Sequence, residues 1–305
     1  FKKYSEEGGP AINYGSIGSG AGIKSLRDQV VDFGATDGYL SDAELAEMPG
    51  EVIHIPTCIG AVVIGYNLPG VTGLRLTPAL LEGIFLADIT KWNDKRITDE
   101  NPGLTLPDMN ITVVYRSDGS GTTYIFSDYM SKVSPKWNGQ LGTGKALNWP
   151  AGIGGKGNPG VAGTISQSQG TIGYLGFEYA YAQKIPMALI QNSAGNYVEP
   201  TLDSFSAAAS VEMPGDTRIM ITNSPNPEAY PITSFTWAIL YKEQSYRGRS
   251  AEAAAATVNT LMWLTGPGAQ AIATSVHYAK LPQNATEQAA ILLRSVTYNG
   301  EPIIK

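Results

Sequence analysis

The sequence predicts an α/β protein built as two lobes. Three observations carry this. A strand, a glycine/serine turn and a helix occur in that order twice, at residues 11–30 and again at 111–133. Segments with helical spacing alternate with short β-branched runs along the whole chain, the pattern of sheets flanked by helices. Two Pro/Gly/Asn-rich breaks, near Asn67-Leu68-Pro69-Gly70 and over Pro225 to Pro231, read as crossings between lobes. One lobe is therefore expected to be discontinuous, residues 1–67 plus 232–305, with residues 68–231 forming the other.

Phe1 to Glu7 reads as a helix end stopped by Gly8-Gly9-Pro10. Ala11-Ile12-Asn13-Tyr14 reads as a short strand, Gly15 to Gly22 as a glycine/serine turn, and Ile23 to about Val30 as a helix. Val31 to Asp37 follows as a strand ending on an acid, then a short helix from Ser41-Asp42 to Met48. Val52 to Asn67 is apolar throughout and is expected to be one long buried strand or two joined ones. Thr77-Pro78 starts a helix, an N-cap followed by proline in the first turn, that continues through Phe85. Thr90 to Asn93 is a turn with an aromatic plug, and Asp94 to Pro107 a loop.

Ile111 to Tyr115 is a buried strand, and Tyr124 to Val133 carries apolar residues at helical spacing. Asn138 to Gly163 is glycine-dense and reads as a structured loop. Helices are expected over 161–169, 177–183, 200–209, 252–264, 268–275 and 285–296, with strands at 171–175 and 232–241.

Between the second strand and helix pair lies Arg116-Ser117-Asp118-Gly119-Ser120-Gly121-Thr122-Thr123. A helix that starts after such a turn leaves its first N–H groups unpaired, at the positive end of its dipole. That is an anion site in outline. Ser120 and Thr122 add hydroxyls, and Arg116 adds a planar fork suited to oxyanions. The earlier turn, Gly18-Ser19-Gly20-Ala21-Gly22, repeats the idea and is followed by Asp37 at the end of the next strand. Neither turn has nucleotide-loop spacing. No G-x-x-x-x-G-K-[ST] occurs, and in Gly152 to Gly157 the lysine is followed by glycine.

With 43% hydrophobic and 16% charged residues over 305 positions, the composition is that of a globular protein with two cores. No apolar run approaches the ~20 residues that span a bilayer. A net charge of −6, with no Lys/Arg cluster, argues against nucleic acid as a partner. The single Cys58 cannot form an internal disulfide and reads as a small buried hydrophobe. Two distant histidines, His54 and His277, offer no metal-ligand spacing, and no cofactor motif is present. Ser19 and Ser120 lie outside any G-x-S-x-G, so a nucleophilic serine lacks its usual setting.

The two turns and the run Val31-Asp32-Phe33-Gly34-Ala35-Thr36-Asp37 resemble the phosphate-binding proteins of bacterial ABC phosphate importers. So do Thr90 to Asp94, Asn101 to Leu104, Gly154 to Asn158, Gly173-Tyr174 and Tyr230 to Ser234, all in the same order. The resemblance implies the two-lobe periplasmic-binding-protein fold, with ligand in the inter-lobe cleft. It implies a chain that binds inorganic phosphate by hydrogen bonds and delivers it to a membrane-embedded ABC permease. Such a protein is expected to be a monomer, to be no enzyme, to need no metal or cofactor, and to be exported to the periplasm or cell surface.

By the same resemblance Ser19, Asp37, Arg116, Ser120, Gly121 and Thr122 are the phosphate-binding residues. Gly18 and Gly20 shape the first turn, and Asp118 holds the Arg116 guanidinium. The family opens with a strand and a loop that also touch phosphate, whereas this chain begins at what reads as the tail of the following helix. Part of the site and of one sheet is accordingly expected to be missing.

Asp37 admits two readings from the residues alone. It caps the turn into Gly38, or its acceptor-only carboxylate takes a proton from the ligand. The second would favour phosphate, which carries a proton near neutral pH, over sulfate, which carries none; the resemblance selects it. Two other functions stay open on the sequence, a phosphatase-like phosphoryl-transfer enzyme and a surface-located phosphate-binding adhesion or scaffold protein.

Overall fold

Two units make up the chain, whose residues 1–304 are described by the computed structural model. Unit 1 comprises Phe1–Ile59, Glu212–Ile219 and Phe235–Lys305, and unit 2 comprises Gly60–Val211 and Met220–Ser234.

Unit 1 begins with α1 (Lys2–Glu6), which buries no residue. Helix α2 (Ser19–Arg27) turns Ile23 and Leu26 onto Leu40, Val52, Ile239 and Tyr241. It lies close against β1 (Gly34–Thr36). A Cβ on Gly22 would stand 2.9 Å from the Ala35 carbonyl oxygen, and one on Gly34 would stand 2.9 Å from that of Gly22. Only glycine at both positions allows that approach. The short helix α3 (Asp42–Ala46) opens on a capping box between Ser41 and Glu44. Strand β2 (Val52–Tyr66) is one continuous strand of 15 residues, and along it the chain passes from unit 1 into unit 2.

In unit 2, β3 (Arg75–Leu76) leads to α4 (Pro78–Phe85), whose N-cap Thr77 accepts from the Leu80 N–H. Then come α5 (Lys95–Glu100), β4 (Thr112–Arg116), α6 (Gly121–Val133), α7 (Pro135–Gln140), β5 (Ile153–Gly155) and α8 (Gly157–Gln167). The unit continues with β6 (Thr171–Gly176), α9 (Phe177–Ala182), β7 (Leu189–Gln191), β8 (Tyr197–Val198) and α10 (Leu202–Ala208). Its main sheet has the order β2-β6-β4-β5, with β2 antiparallel to β6 and β6, β4 and β5 mutually parallel. Arg116 pairs in register with Gly155 at the carboxyl ends of β4 and β5. Phe126 stacks on Tyr174 at 4.7 Å beneath those ends, with Phe85, Trp137 and Trp149 around them.

Back in unit 1, β9 (Thr233–Tyr241) pairs antiparallel with β1, giving the order β1-β9-β2. Helices α11 (Ala251–Thr265), α12 (Pro267–Ala273) and α13 (Gln283–Arg294) follow, then the hairpin of β10 (Thr297–Tyr298) and β11 (Glu301–Pro302). Val258, Leu261, Ala289 and Leu293 pack on Ile53, Ile55, Ala238 and Leu240.

Several boundaries differ from those the sequence predicts. The unit crossing in β2 falls between Ile59 and Gly60 rather than at Asn67, and the later one between Ser234 and Phe235 rather than after Pro231. Residues 212–219, expected in the second lobe, pack in unit 1. Thr217 explains this: its hydroxyl donates to the His54 carbonyl at 2.6 Å, and its own carbonyl accepts from Trp237 Nε1 at 3.0 Å. Residues 11–14 form no strand, and all of them but Ile12 are exposed. Helices α2, α6 and α8 begin earlier than their apolar spacing suggests, at Ser19, Gly121 and Gly157, since glycine and serine in a first helical turn carry no periodic signal. Helix α5 lies within the stretch expected as a loop, and α7 begins at Pro135, ahead of the glycine-dense run, where the residues predict no element. Cys58 is half-buried, because with Phe33, Ala35, Ala238, Trp263 and Ala273 it lines a cavity of about 640 Å³.

Candidate functional site

The anion turn of unit 2 is built at the carboxyl ends of β4 and β6. Valines fill the sheet interior along β4, so the buried strand carries Arg116 to its last position, where the residue is 7% exposed. The Arg116 backbone N–H donates to the Tyr174 hydroxyl at 3.0 Å, and that hydroxyl shares a 2.8 Å bond with Thr123 Oγ1. Burial first of all pushes the Tyr174 phenol up to about 12, so it stays protonated around neutral pH and serves as a fixed dipole.

The guanidinium is held on two sides. Nε and Nη2 donate to Asp118 Oδ1 and Oδ2 at 2.8 and 2.6 Å, a bidentate pair. Nη1 donates to Thr122 Oγ1 at 3.1 Å and to Asn158 Oδ1 at 3.3 Å. Asp118 Oδ1 also accepts from the Gly157 N–H, the first residue of α8, at 2.9 Å.

Ser120 is the N-cap of α6. Its Oγ accepts from the Thr123 N–H at 3.1 Å, which leaves its own hydrogen for another acceptor. Its backbone N–H is held by the Lys145 carbonyl at 2.8 Å, so the glycine-dense loop braces the turn. Gly121 and Thr122 open a helix of 13 residues, and N–H groups at such positions have no acceptor within the helix. One guanidinium, one hydroxyl with a hydrogen to donate and a helix N-terminus are thus gathered on one turn, a donor set matched to a tetrahedral oxyanion.

The turn of unit 1 has a different character. Gly18, the N-cap of α2, adopts φ 85° and ψ 155°, a left-handed backbone that glycine alone takes without strain. That twist makes Ser19 the first residue of the helix and Gly20 the second. Ser19 Oγ accepts from the Asp37 N–H at 3.2 Å, again leaving a hydroxyl hydrogen to donate. Asp37, just past β1, accepts at Oδ1 from the Thr236 hydroxyl at 2.8 Å. A fixed donor and a fixed carboxylate therefore stand side by side.

Each predicted residue has a definite place. Ser19 and Asp37, with Gly18 and Gly20, form the unit 1 turn; Arg116, Asp118, Ser120, Gly121 and Thr122 form the unit 2 turn. Asn158, Thr236, Tyr174 and Thr123 join the predicted residues in these turns through side-chain hydrogen bonds. Asn158 and Tyr174 fall in quoted motif runs, Gly154 to Asn158 and Gly173-Tyr174, which was the available signal. Thr236 had none. His54 is a core histidine whose Nε2 accepts from the Leu40 N–H at 3.1 Å. Among the described residues no group of three or more His, Cys, Asp or Glu is arranged to hold a metal.

Asp118 sets the acid limit of the unit 2 turn. Burial works against its charge, but the Arg116 guanidinium and the Gly157 N–H outweigh it and hold its pKa below the ordinary carboxylate value. A carboxylate with a depressed folded pKa stabilises the fold above its unfolded pKa, about 3.9, and that stability is lost as pH falls through the folded value. Asp118→Asn should therefore lower stability at pH 7 by roughly 1.5–3 kcal/mol, one lost charge-assisted bond. The gap to wild type should begin to narrow below about pH 4 and vanish only as pH falls through the depressed folded value of Asp118. Melting curves of both proteins from pH 3 to 7 measure it; a gap that stays constant would show that the ion pair contributes nothing.

Residues 2–262 match the PBP superfamily domain. A phosphate-binding protein PstS of Xylella fastidiosa (strain 9a5c) is 42% identical over 290 residues, covering 93% of this chain and 78% of its own length. Among solved structures, a phosphate-binding protein from Stenotrophomonas maltophilia matches 96% of this chain and 90% of its own, with TM-score 0.72 at 18% identity. An ABC-type phosphate transport receptor from Vibrio cholerae matches 92% of each chain, with TM-score 0.58 at 18% identity. At these identities the structural matches establish the fold.

Proposed function

Because this chain belongs to the PBP superfamily and, within it, to the phosphate-binding proteins of the PstS type, we propose that it binds inorganic phosphate and hands it unchanged to an ABC permease. The observation that carries the reading is the unit 2 turn. A buried Arg116, held from two sides, shares one turn with the Ser120 hydroxyl and the free N-terminus of α6. A helix terminus and an oriented guanidinium are two devices by which proteins hold phosphate without a metal. We assign to the ligand Ser19 and Asp37 from unit 1 and Arg116, Ser120, Gly121 and Thr122 from unit 2, with Asp118 orienting Arg116.

Binding without chemistry is the function these groups support. Ser120 Oγ is committed as the cap acceptor of α6, and the hydrogen bonds of the turn include no histidine that could take its proton. The chain is proposed to act as an exported monomer facing a membrane-embedded permease. Among the described residues no helix is long and apolar enough to cross a membrane.

Calorimetry with phosphate and sulfate, alongside incubation with a chromogenic phosphoester, tests this. One phosphate per chain, much weaker heat with sulfate and no release of chromophore are expected. Steady chromophore release would favour a phosphoryl-transfer enzyme, and absence of phosphate heat would overturn the reading.

A further inference from the structure

Asn158, the second residue of α8, receives more donors than a surface asparagine needs. Its Oδ1 faces Arg116 Nη1 at 3.3 Å, the Gly176 N–H at 3.2 Å and the Thr122 hydroxyl at 3.5 Å. A guanidinium and a peptide N–H have no lone pair to offer, so the carboxamide oxygen, not its NH₂, must be turned toward them. The count for Arg116 is then nearly complete. Of its five N–H hydrogens, two go to Asp118, one to Thr122 and one to Asn158. The Thr122 hydroxyl accepts from Arg116 and gives its own hydrogen to Asn158. An oxyanion that takes these same donors must displace the Asn158 oxygen or share them with it.

Resting on the phosphate reading above, we propose that Asn158 is a positioning residue that acts as a neutral stand-in for the anion. Its oxygen keeps Arg116 Nη1 and the Thr122 hydroxyl in place between ligands, and its lack of charge lets phosphate take them over. Charge is the decisive property. Asp118 already sets one carboxylate on Arg116, so the pair is close to neutral and the turn attracts an anion through what remains of the guanidinium field and the helix terminus. A second carboxylate at 158 would be a stronger acceptor for all three donors. It would hold them against the ligand and repel it. The other charged or titratable groups near Asn158 are Asp118 and Tyr174, Lys156 on its own segment, and Glu178, whose carboxylate lies beside Gly176.

Asn158→Asp keeps the shape and the acceptor and adds only the charge. The ligand-free melting temperature should stay the same or rise, while phosphate affinity at pH 8 falls about ten- to a hundredfold, the range of one charged hydrogen bond. That loss should shrink toward pH 5, where phosphate is a monoanion. Asn158→Ala, which removes the acceptor without adding charge, should lower both melting temperature and affinity, the latter about tenfold and evenly across pH. Melting curves without ligand and calorimetry with inorganic phosphate at pH 5, 6.5 and 8 measure all of this. Affinity of Asn158→Asp within twofold of wild type at pH 8 overturns the proposal. So does a loss that is equal at pH 5 and 8, or a variant that does not fold, since a stand-in must accept an isosteric carboxylate. If wild type itself gives no phosphate heat, the functional reading has failed and the proposal falls with it.

Discussion

Arg116→Lys should weaken phosphate binding by roughly 2–4 kcal/mol, about thirty- to a thousandfold. Arg116 makes four side-chain hydrogen bonds to Asp118, Thr122 and Asn158 from one rigid plane. A lysine ammonium keeps the charge but is a compact point donor with no fork, so it cannot bridge Asp118 and Thr122 while facing a ligand. If it pairs with Asp118, the ligand loses its cation. Should it instead turn to the ligand, Asp118 keeps only the Gly157 N–H and its charge stands uncompensated beside the anion. Either way the turn loses at least one charge-assisted bond to phosphate and the orientation of another. The ligand-free melting temperature should fall as well, because the Arg116 side chain is buried and its partner Asp118 partly so. Sulfate and phosphate should weaken together, since the fork reads the oxyanion and not its proton. Calorimetry with both anions decides it: a loss of less than fivefold would remove Arg116 as the principal anion donor.

Asp37→Asn is expected to act on selectivity. Thr236 donates to Asp37 Oδ1, and the Asp37 N–H donates to Ser19, so the carboxylate is held in one place beside a hydroxyl donor. A carboxylate only accepts hydrogen bonds. On the proposed reading it takes the proton that phosphate carries, whereas sulfate meets it with an unprotonated oxygen. An amide of the same size can still accept that proton and can also donate. Phosphate affinity should therefore drop modestly, and sulfate affinity should rise by about ten- to a hundredfold, the worth of roughly 1.5–3 kcal/mol for a repaired buried bond to a charged group. The phosphate-over-sulfate ratio narrows chiefly from the sulfate side. Titration of wild type and variant with both anions is the measurement. An unchanged ratio would leave Asp37 a structural residue whose role ends with Thr236.

Features that depend on neighbours close along the chain are legible in the residues alone. The strand that ends on Arg116, the Ser120 cap and the start of α6 are encoded within residues 111–133, because a β-branched run, a Gly/Ser turn and a 3.6-residue apolar spacing are each local signals. The α2 to β1 unit with Ser19 and Asp37 was legible for the same reason, although its helix starts four residues before its first apolar position. Contacts between remote segments emerge only once the chain has folded. Asn158 meets Arg116 across 42 positions, Thr217 reaches His54 across 163, and Thr236 reaches Asp37 across 199. A polar side chain that satisfies a partner so far away leaves no periodicity in the sequence. Its role follows from where sheet register and helix packing bring the two backbones, and from the high cost of leaving a buried donor or acceptor unpaired.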